Sequence, residues 1–223
     1  MGPVFARVRG TIHQERTVLS STEFGYGGYA FSWGDHICAI FDSHVQQMEV
    51  MAPFVAAGLR AEQRCAWIAP GDSTEALRQA LGDMGGDLPT LEASGQLLLL
   101  SEVDFYLREG VFDPDRTLDL LQALLENNQR EGYPTMRLAT DVSWLCCGRI
   151  EAQAWENFET RLTEQVSERP MVMVCQYDRR QVTGDMIVAA LRTHPAVILG
   201  DTFRSNPFYQ PAAAGAPGVG EIL

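Results

Sequence analysis

Residues 36–42, with the sequence His-Ile-Cys-Ala-Ile-Phe-Asp, decide the fold class of this chain. The run contains no glycine or proline, and strands favour its isoleucine and phenylalanine residues. Because apolar residues fall on both faces, the pattern indicates a strand covered on both sides, as in the centre of a parallel sheet. A helical pattern follows over residues 45–59, with Gly58 as its predicted stop, and residues 65–70 form a second apolar run. We expect this strand–helix–strand unit to bind ligands at the turn over residues 42–49.

Strand and helix patterns continue to alternate along the rest of the chain. Apolar runs predict further strands at residues 96–101, 136–141, 171–177 and 196–200, and helical patterns begin near residues 71, 115, 150 and 184. Alternation of this kind is typical of sheets whose parallel strands are joined by crossover helices. The sequence therefore predicts an α/β fold with three layers, in which a mostly parallel β-sheet of about six strands is flanked by about five helices.

The two ends of the chain differ from this central pattern. Residues 1–30 alternate weakly and contain the stretch Gly25-Tyr-Gly-Gly-Tyr29, which is typical of a flexible break. Residues from Gln210 onward are rich in alanine, proline and glycine. We therefore expect an N-terminal arm and linker over residues 1–30, one α/β domain over residues 31–210, and a disordered tail over residues 211–223.

Composition argues against several classes of protein. The chain has 223 residues and a formal net charge of -12, and all 17 basic residues are arginine. An acidic surface is a poor partner for a phosphate backbone, so we expect no direct binding of nucleic acid. The absence of lysine removes the residue that phosphate-binding loops and Schiff-base enzymes use. No apolar run approaches the roughly 20 residues of a membrane span, and an apolar signal segment is absent, so we expect a cytoplasmic protein without a membrane partner.

Acidic residues follow nearly every predicted strand. The carboxyl ends of parallel strands meet at one edge of a sheet, and such folds bind their ligands at that edge. Each carboxylate alone is more simply explained as a cap for the helix that follows it. Together they predict an acidic rim that favours cations or neutral polar ligands over phosphates. The residues of this rim are Asp42, Asp72, Glu102, Asp104, Asp141, Asp178 and Asp201.

Thiols, imidazoles and aromatic rings accompany the rim. Their spacing places His36 with Cys38 on one strand face and Cys175 with Tyr177 on another, so the two thiols are close if these strands are neighbours. Such groups can bind a small ligand, a soft metal or haem, and they can react with an electrophile or an oxidant. They therefore do not identify a cofactor. A neutral core histidine is the simpler interpretation of His36. We predict a ligand-binding pocket formed by His36, Cys38, Asp42, His44, Trp144, Cys175 and Tyr177.

The common catalytic motifs are absent from the sequence. It contains no GxSxG elbow, no HExxH and no GxGxxG at a strand–helix junction. We therefore expect a protein that is not an enzyme. The cysteines leave one alternative open, a redox switch or a thiol-dependent enzyme that uses Cys38 or Cys175. A scaffold that only contacts other proteins is a third interpretation.

Several segments of the chain resemble the MEDS domain, the sensory domain of methanogen/methylotroph, DcmR-type proteins. The resemblance covers residues 33–211 and depends on the order and spacing of short matches. These matches begin with His36-Ile-Cys38 and continue through residues 54–59, 65–68, 106–113, 137–144, 155–159, 175–178, 194–195 and 206–209.

The resemblance implies a core similar to the RecA/KaiC-like ATPases, which are related to the P-loop NTPases. In those proteins the turn after the first strand reads GxxxxGK[ST], whereas here residues 42–50 read Asp-Ser-His-Val-Gln-Gln-Met-Glu-Val. Glycine lets backbone N–H groups surround a phosphate, and lysine neutralises its charge. We therefore expect a degenerate Walker A motif that does not bind ATP in the usual manner. Asp141 stands where a Walker-B carboxylate is expected.

The resemblance also implies a sensory and regulatory function without catalysis. By that resemblance the ligand is a small hydrocarbon derivative or a one-carbon compound, bound directly or through a metal or haem. The implied partner is a histidine-kinase, anti-sigma-type or DNA-binding output module. No module of that size follows residue 211, so we expect a free-standing sensor or a fragment. RecA-like domains often assemble through their faces, which predicts a homo-oligomer.

Overall fold

The computed structural model describes residues 21–147, 150–167 and 169–211, in which strands and helices alternate. The helices are α1 (His44–Arg60), α2 (Gly71–Asp83), α3 (Leu88–Ala93), α4 (Glu102–Tyr106), α5 (Pro114–Arg130), α6 (Ala152–Val166) and α7 (Gly184–Thr193), with a 3-10 helix at Ser143–Cys147. The strands are β1 (Ser21–Glu23), β2 (Ala30–Ser32), β3 (His36–Phe41), β4 (Arg64–Ala69), β5 (Leu97–Ser101), β6 (Leu107–Arg108), β7 (Val111–Phe112), β8 (Met136–Asp141), β9 (Met171–Asp178), β10 (Ala196–Leu199) and β11 (Thr202–Ser205).

The main sheet has seven strands in the order β11-β10-β3-β9-β8-β4-β5. Every neighbouring pair is parallel except β10 with β11, which are antiparallel. The predicted α/β fold with a mostly parallel sheet is therefore confirmed. The sequence analysis missed β11, a short edge strand with exposed residues, which follows a tight turn at Gly200 (φ +65°). It also missed the small hairpins β1–β2 and β6–β7.

Helices cover both faces of the sheet, which gives the three predicted layers. One face packs against α5, α6 and α7 through side chains such as Leu121, Trp155 and Met186. The other face packs against α1 and α2 through side chains such as Phe54 and Leu77. In the described part of the chain, no helix combines the length and apolar character that crossing a bilayer requires.

The first crossover helix extends further than the sequence predicted. α1 does not stop at Gly58 but continues to Arg60. A Cβ atom at position 58 would lie 2.6 Å from Cys65 Sγ and 2.6 Å from Arg137 Cδ. The glycine therefore does not terminate the helix; it lets the α1 backbone approach β4 and β8 closely.

Part of the predicted N-terminal arm packs on the domain. Residues 21–32 form the β1–β2 hairpin, and Phe24 within it is buried against the ring of Phe54, with centroids 4.7 Å apart. The buried Arg137 guanidinium donates hydrogen bonds to the carbonyls of Glu23 and Phe24 at 2.8 and 3.0 Å. We therefore propose that the domain begins before residue 31. The remainder of the predicted arm, residues 1–20, and the predicted tail from residue 212 lie outside the described residues.

Candidate functional site

A polar cleft lies at the carboxyl ends of the parallel strands, where the sequence analysis predicted ligand binding. Its volume is about 430 Å³, and it is lined by residues that follow β3, β4, β5, β8 and β9. Four members of the predicted acidic rim contribute to it, together with His44 and Trp144 from the predicted pocket. The lining carboxylates are Asp72, Glu102, Asp141 and Asp178.

The backbone at the start of α1 is not arranged to hold a phosphate. Only Asp42 and Ser43 separate β3 from α1, so no loop is available to surround an anion. The Ser43 hydroxyl accepts a hydrogen bond from the Gln46 N–H at 3.1 Å, and the Gln46 side chain accepts one from the Asp42 N–H at 2.8 Å. Side chains of the turn thus occupy backbone donors that a phosphate-binding loop would offer to a nucleotide. Asp42 itself is exposed and forms an ion pair with Arg179.

The rim carboxylates that line the cleft are not N-caps of the adjacent helices. Ser43 caps α1 and Thr183 caps α7. Asp141 instead accepts hydrogen bonds from the buried Gln47 side chain at 3.0 Å and from the Ser143 N–H at 2.9 Å. Asp178 accepts hydrogen bonds from the Arg180 guanidinium at 2.6 and 2.9 Å, which lower its pKa to about 2. Arg180 also lines the cleft and balances Asp178, so the net negative charge of the lining comes from Asp72, Glu102 and Asp141.

Two side chains that line the cleft carry buried hydrogen-bond donors. The Ser73 hydroxyl and the Trp144 indole N–H have no hydrogen-bond partner among the described residues, although their side chains are buried. Buried polar groups are normally paired, so two unpaired donors at one cavity indicate a place where a ligand or ordered water accepts hydrogen bonds.

The other predicted pocket residues lie in a different place, inside the core beneath α6 and α7. β3 and β9 are neighbours, and Cys38 and Cys175 are direct register partners, as the sequence analysis anticipated for adjacent strands. Their side chains face the same core as Tyr177. The structure thus divides the predicted pocket in two. His44 and Trp144 line the open cleft, whereas His36, Cys38, Cys175 and Tyr177 are buried in the core.

A fully buried polar cluster forms around His36. Its Nε2 atom lies 3.2 Å from Cys175 Sγ and 3.5 Å from Glu159 Oε2. His194 Nε2 lies 3.5 Å from the same oxygen, and the two imidazole rings are 4.0 Å apart between centroids. Tyr177 donates a hydrogen bond to Glu159 Oε1 at 3.0 Å and accepts one from Trp155 at 3.1 Å.

Burial shifts the pKa of every titratable group in this cluster towards its neutral form. It raises the pKa of Glu159 to about 8 and lowers that of His194 to about 4. Desolvation also lowers the pKa of His36 and raises that of the Cys175 thiol. The cluster is therefore held as neutral groups unless a cation takes the place of its protons.

Sequence reasoning did not identify Glu159 and His194 as site residues. Glu159 lies on α6 between Trp155 and Leu162, on the face that packs into the core. A carboxylate on an otherwise apolar helix face was the available signal, because charged residues are rarely buried without a partner. His194 directly follows α7 and precedes β10, and nothing in its local pattern distinguishes it from an ordinary helix end.

Comparisons with known proteins agree with this architecture. "Transcriptional repressor DcmR" of Methylorubrum extorquens is 23% identical over 179 residues, which cover 80% of this chain and 64% of the repressor. The chain therefore aligns with less than two thirds of that repressor's length. A KaiC-like protein from the hyperthermophilic archaeon Pyrococcus horikoshii OT3 has a TM-score of 0.53 at 13% identity, over 80% of this chain and 79% of that protein. At this identity the second comparison shows the fold alone, and it confirms the RecA/KaiC-like core.

The family comparison covers most of the chain. The family described as "MEthanogen/methylotroph, DcmR Sensory domain" matches residues 35–195. The match includes β3, with which the resemblance began, and extends to the end of α7. The chain therefore belongs to the MEDS family of sensory domains.

Proposed function

We propose that this chain is a non-catalytic sensory domain that binds a small neutral or cationic organic ligand in the cleft at the strand ends. The family supports a sensory role, and the homologous repressor supports a regulatory one. The observation that carries the ligand assignment is the pair of unpaired donors, Ser73 Oγ and Trp144 Nε1, on the lining of an acidic cavity. A small ligand with acceptor atoms and an apolar part would pair these donors and contact the indole ring.

The charge of the cleft restricts the class of ligand. Asp178 is neutralised by Arg180, which also lines the cleft, but the carboxylates of Asp72, Glu102 and Asp141 disfavour phosphates and other anions and favour amines or neutral polar molecules. A volume of about 430 Å³ exceeds what a compound of a few heavy atoms fills, so such a ligand would share the cleft with water. We therefore propose a hydrocarbon derivative or one-carbon compound, such as a short alcohol or a methylated amine.

The signal requires a partner, because a ligand acts by shifting an equilibrium between two arrangements. We propose that the partner is a DNA-binding, anti-sigma-type or kinase module and that the domain works in the cytoplasm as a homo-oligomer. The relative that is named a transcriptional repressor supports the DNA-binding alternative. The domain proposed to carry this function extends from residue 21 to residue 210.

The thiol-based alternative is less well supported by the geometry. Reactive cysteines are partly exposed and have a lowered pKa. Cys38 and Cys175 are fully buried, and burial raises the pKa of both thiols well above the usual value. Neither thiol is therefore arranged as a nucleophile or an oxidant sensor in this conformation.

A melting-temperature screen tests the proposal. The panel contains short alcohols, methylated amines, small amides and halogenated one-carbon compounds, each measured over a range of concentrations. At least one compound is expected to raise the melting temperature of the wild type, and Trp144→Phe is expected to abolish that rise. Trp67→Phe is the matched control, since Trp67 is also buried with an unpaired indole N–H but lies on the opposite core face. No stabilisation by any compound, or an equal rise in Trp144→Phe, contradicts the proposal.

A further inference from the structure

The buried cluster beneath α6 and α7 brings together four side chains of kinds that ligate metals. Four side chains each present one ligand atom, and these atoms all lie within 4.8 Å of one another. Ligand atoms around a tetrahedral zinc ion, at about 2.0–2.3 Å from the metal, lie roughly 3.3–3.8 Å apart. The two 3.5 Å contacts of Glu159 Oε2, with His36 and His194, fall in that range.

The hydrogen bonds of His194 fix its tautomer. Its Nδ1 atom lies 2.8 Å from the carbonyl oxygen of Ala190, which can only accept. Nδ1 therefore carries the hydrogen, and Nε2 presents a lone pair to Glu159 Oε2. Neither His194 Nε2 nor Glu159 Oε2 has a hydrogen-bond partner among the described residues, although both atoms are buried. Two electron-pair donors that face each other in a dry core need a cation or a shared proton between them.

His36 is oriented in the same way. The Thr163 hydroxyl lies 2.8 Å from the Thr193 carbonyl and 2.9 Å from the Glu159 carbonyl, so its hydrogen is donated to one of these. Its oxygen then accepts from His36 Nδ1–H at 2.8 Å, and His36 Nε2 presents a lone pair to Cys175. An imidazole that donates Nδ1–H to a protein oxygen, with Nε2 free for the metal, is the usual arrangement of histidine ligands.

Glu159 is also held by outer hydrogen bonds. Tyr177 donates to Oε1 at 3.0 Å, and Trp155 in turn donates to the Tyr177 hydroxyl at 3.1 Å. This chain fixes the carboxylate and leaves Oε2 directed at the two imidazoles. Ligating carboxylates in metal sites are supported by hydrogen bonds of this kind.

We propose that four buried side chains bind one borderline divalent metal ion, for which Zn²⁺ is the reference probe: His36, Glu159, Cys175 and His194. A thiolate and a carboxylate with two neutral imidazoles carry two negative charges, which a divalent cation neutralises inside the core. Two nitrogens, one sulfur and one oxygen suit zinc or another borderline ion better than magnesium or calcium, which prefer oxygen ligands. The proposal is independent of the cleft, which lies at the opposite end of β3 from His36.

Metal binding to the metal-free 223-residue chain tests this proposal. The wild type is expected to bind one equivalent of Zn²⁺ in a calorimetric titration. Co²⁺ in its place is expected to give the near-ultraviolet absorption of a cobalt–thiolate bond. That absorption reports coordination by a thiolate, and because the chain has five cysteines, the Cys175→Ser variant is needed to assign it.

Variants then assign the site. Glu159→Gln keeps the shape of the side chain, and its amide can donate to His194 Nε2, so the fold is expected to persist. Because the variant loses an anionic ligand, zinc affinity is expected to fall by at least the roughly 10–100-fold that the loss of an outer-shell partner costs. Cys175→Ser is expected to remove the cobalt–thiolate absorption. The matched controls are Cys65→Ser, at a buried thiol in the other core, and His44→Gln, at the exposed cleft histidine. Both controls are expected to bind metal as the wild type does.

Two results would overturn the proposal. One is a wild type without the cobalt–thiolate absorption or without stoichiometric zinc binding. The other is zinc binding that survives unchanged in both Glu159→Gln and Cys175→Ser, because the metal would then occupy another place. Circular dichroism of each metal-free variant confirms that a loss of binding is not a loss of fold.

Discussion

Glu159 Oε2 and His194 Nε2 face each other 3.5 Å apart in the core, with both side chains wholly buried. The contact joins α6 to the residue that follows α7, on the face of the sheet formed by β3 and β9. Because Tyr177 already donates to the other carboxylate oxygen, the Oε2 atom is available to whatever lies between the two side chains. Substitutions at position 159 therefore show whether the stability of the core depends on the charge of this side chain or on its shape and hydrogen bonds.

In the metal-free protein, the Glu159→Gln substitution is expected to be tolerated. The amide oxygen can accept from Tyr177 and the amide N–H can donate to His194, so the free energy of unfolding should stay within about 1 kcal/mol of the wild type. Glu159→Ala leaves both partners unpaired and opens a cavity, which is expected to cost about 2–4 kcal/mol. Urea unfolding in the presence of a chelator measures both values. Equal losses in the two variants would show that the interpretation of the hydrogen bonds is wrong.

Gly58 is expected to be intolerant of alanine although it lies inside a helix. Alanine usually stabilises a helix interior by about 1 kcal/mol relative to glycine. Here its Cβ would lie 2.6 Å from Cys65 Sγ and from Arg137 Cδ, so we expect Gly58→Ala to destabilise the protein by about 2 kcal/mol or more.

The matched control for this prediction is Gly82→Ala in α2. Apart from adjacent residues and the backbone of α2 itself, no described atom lies within 4 Å of a Cβ atom built at position 82. This substitution is expected to leave stability unchanged or to raise it by up to about 1 kcal/mol. Thermal unfolding of the two variants gives the comparison, and similar effects at both positions would contradict the packing argument.

Asp178 is expected to contribute stability that depends on pH. Its ion pair with Arg180 lowers the folded-state pKa from 3.8 to about 2. A lowered carboxyl pKa gives stability that is present above the unfolded-state value and is lost as the pH falls through the folded-state value. Since the pair is partly exposed, we expect Asp178→Asn to cost about 1 kcal/mol at neutral pH.

The pH series distinguishes this effect from a general loss of charge. The difference in unfolding free energy between the wild type and Asp178→Asn should shrink as the pH falls below about 4. Asp83→Asn removes the same charge at an exposed position at the end of α2 and serves as the control. A difference for Asp178→Asn that does not change with pH would argue against the ion pair as its cause.

The sequence predicted the fold better than the site. Apolar runs such as residues 36–41 identify buried strands directly, because a strand covered on both faces has few polar residues. β11 was missed since its residues are half-exposed, and a single antiparallel edge strand leaves little periodic signal. The end of α1 was misplaced because Gly58 serves close packing, and only the tertiary structure reveals the neighbours of position 58.

For the candidate site, the sequence indicated which residues share a strand face but not which residues of other elements contact them. Strand periodicity predicted that Cys38 and Cys175 lie close if their strands are neighbours, and the two residues are register partners on β3 and β9. Periodicity reports the face of the sheet on which a residue lies. It does not report at which end of the strand the residue lies, so it did not separate the core cluster from the cleft. Glu159 and His194 are contributed by elements on another layer, and their approach to His36 depends on how α6 and α7 pack. No periodic pattern in a single sequence predicts how these two helices pack.

We propose that the cleft of this RecA-like fold binds a ligand other than a nucleotide. Equilibrium binding of ATP with Mg²⁺, measured together with ATP turnover on the same preparation, tests it most directly. We expect no saturable binding at millimolar ATP and no hydrolysis, because the turn at residues 42–43 offers no phosphate loop and no lysine. Saturable, magnesium-dependent ATP binding that Asp141→Asn abolishes would contradict the account.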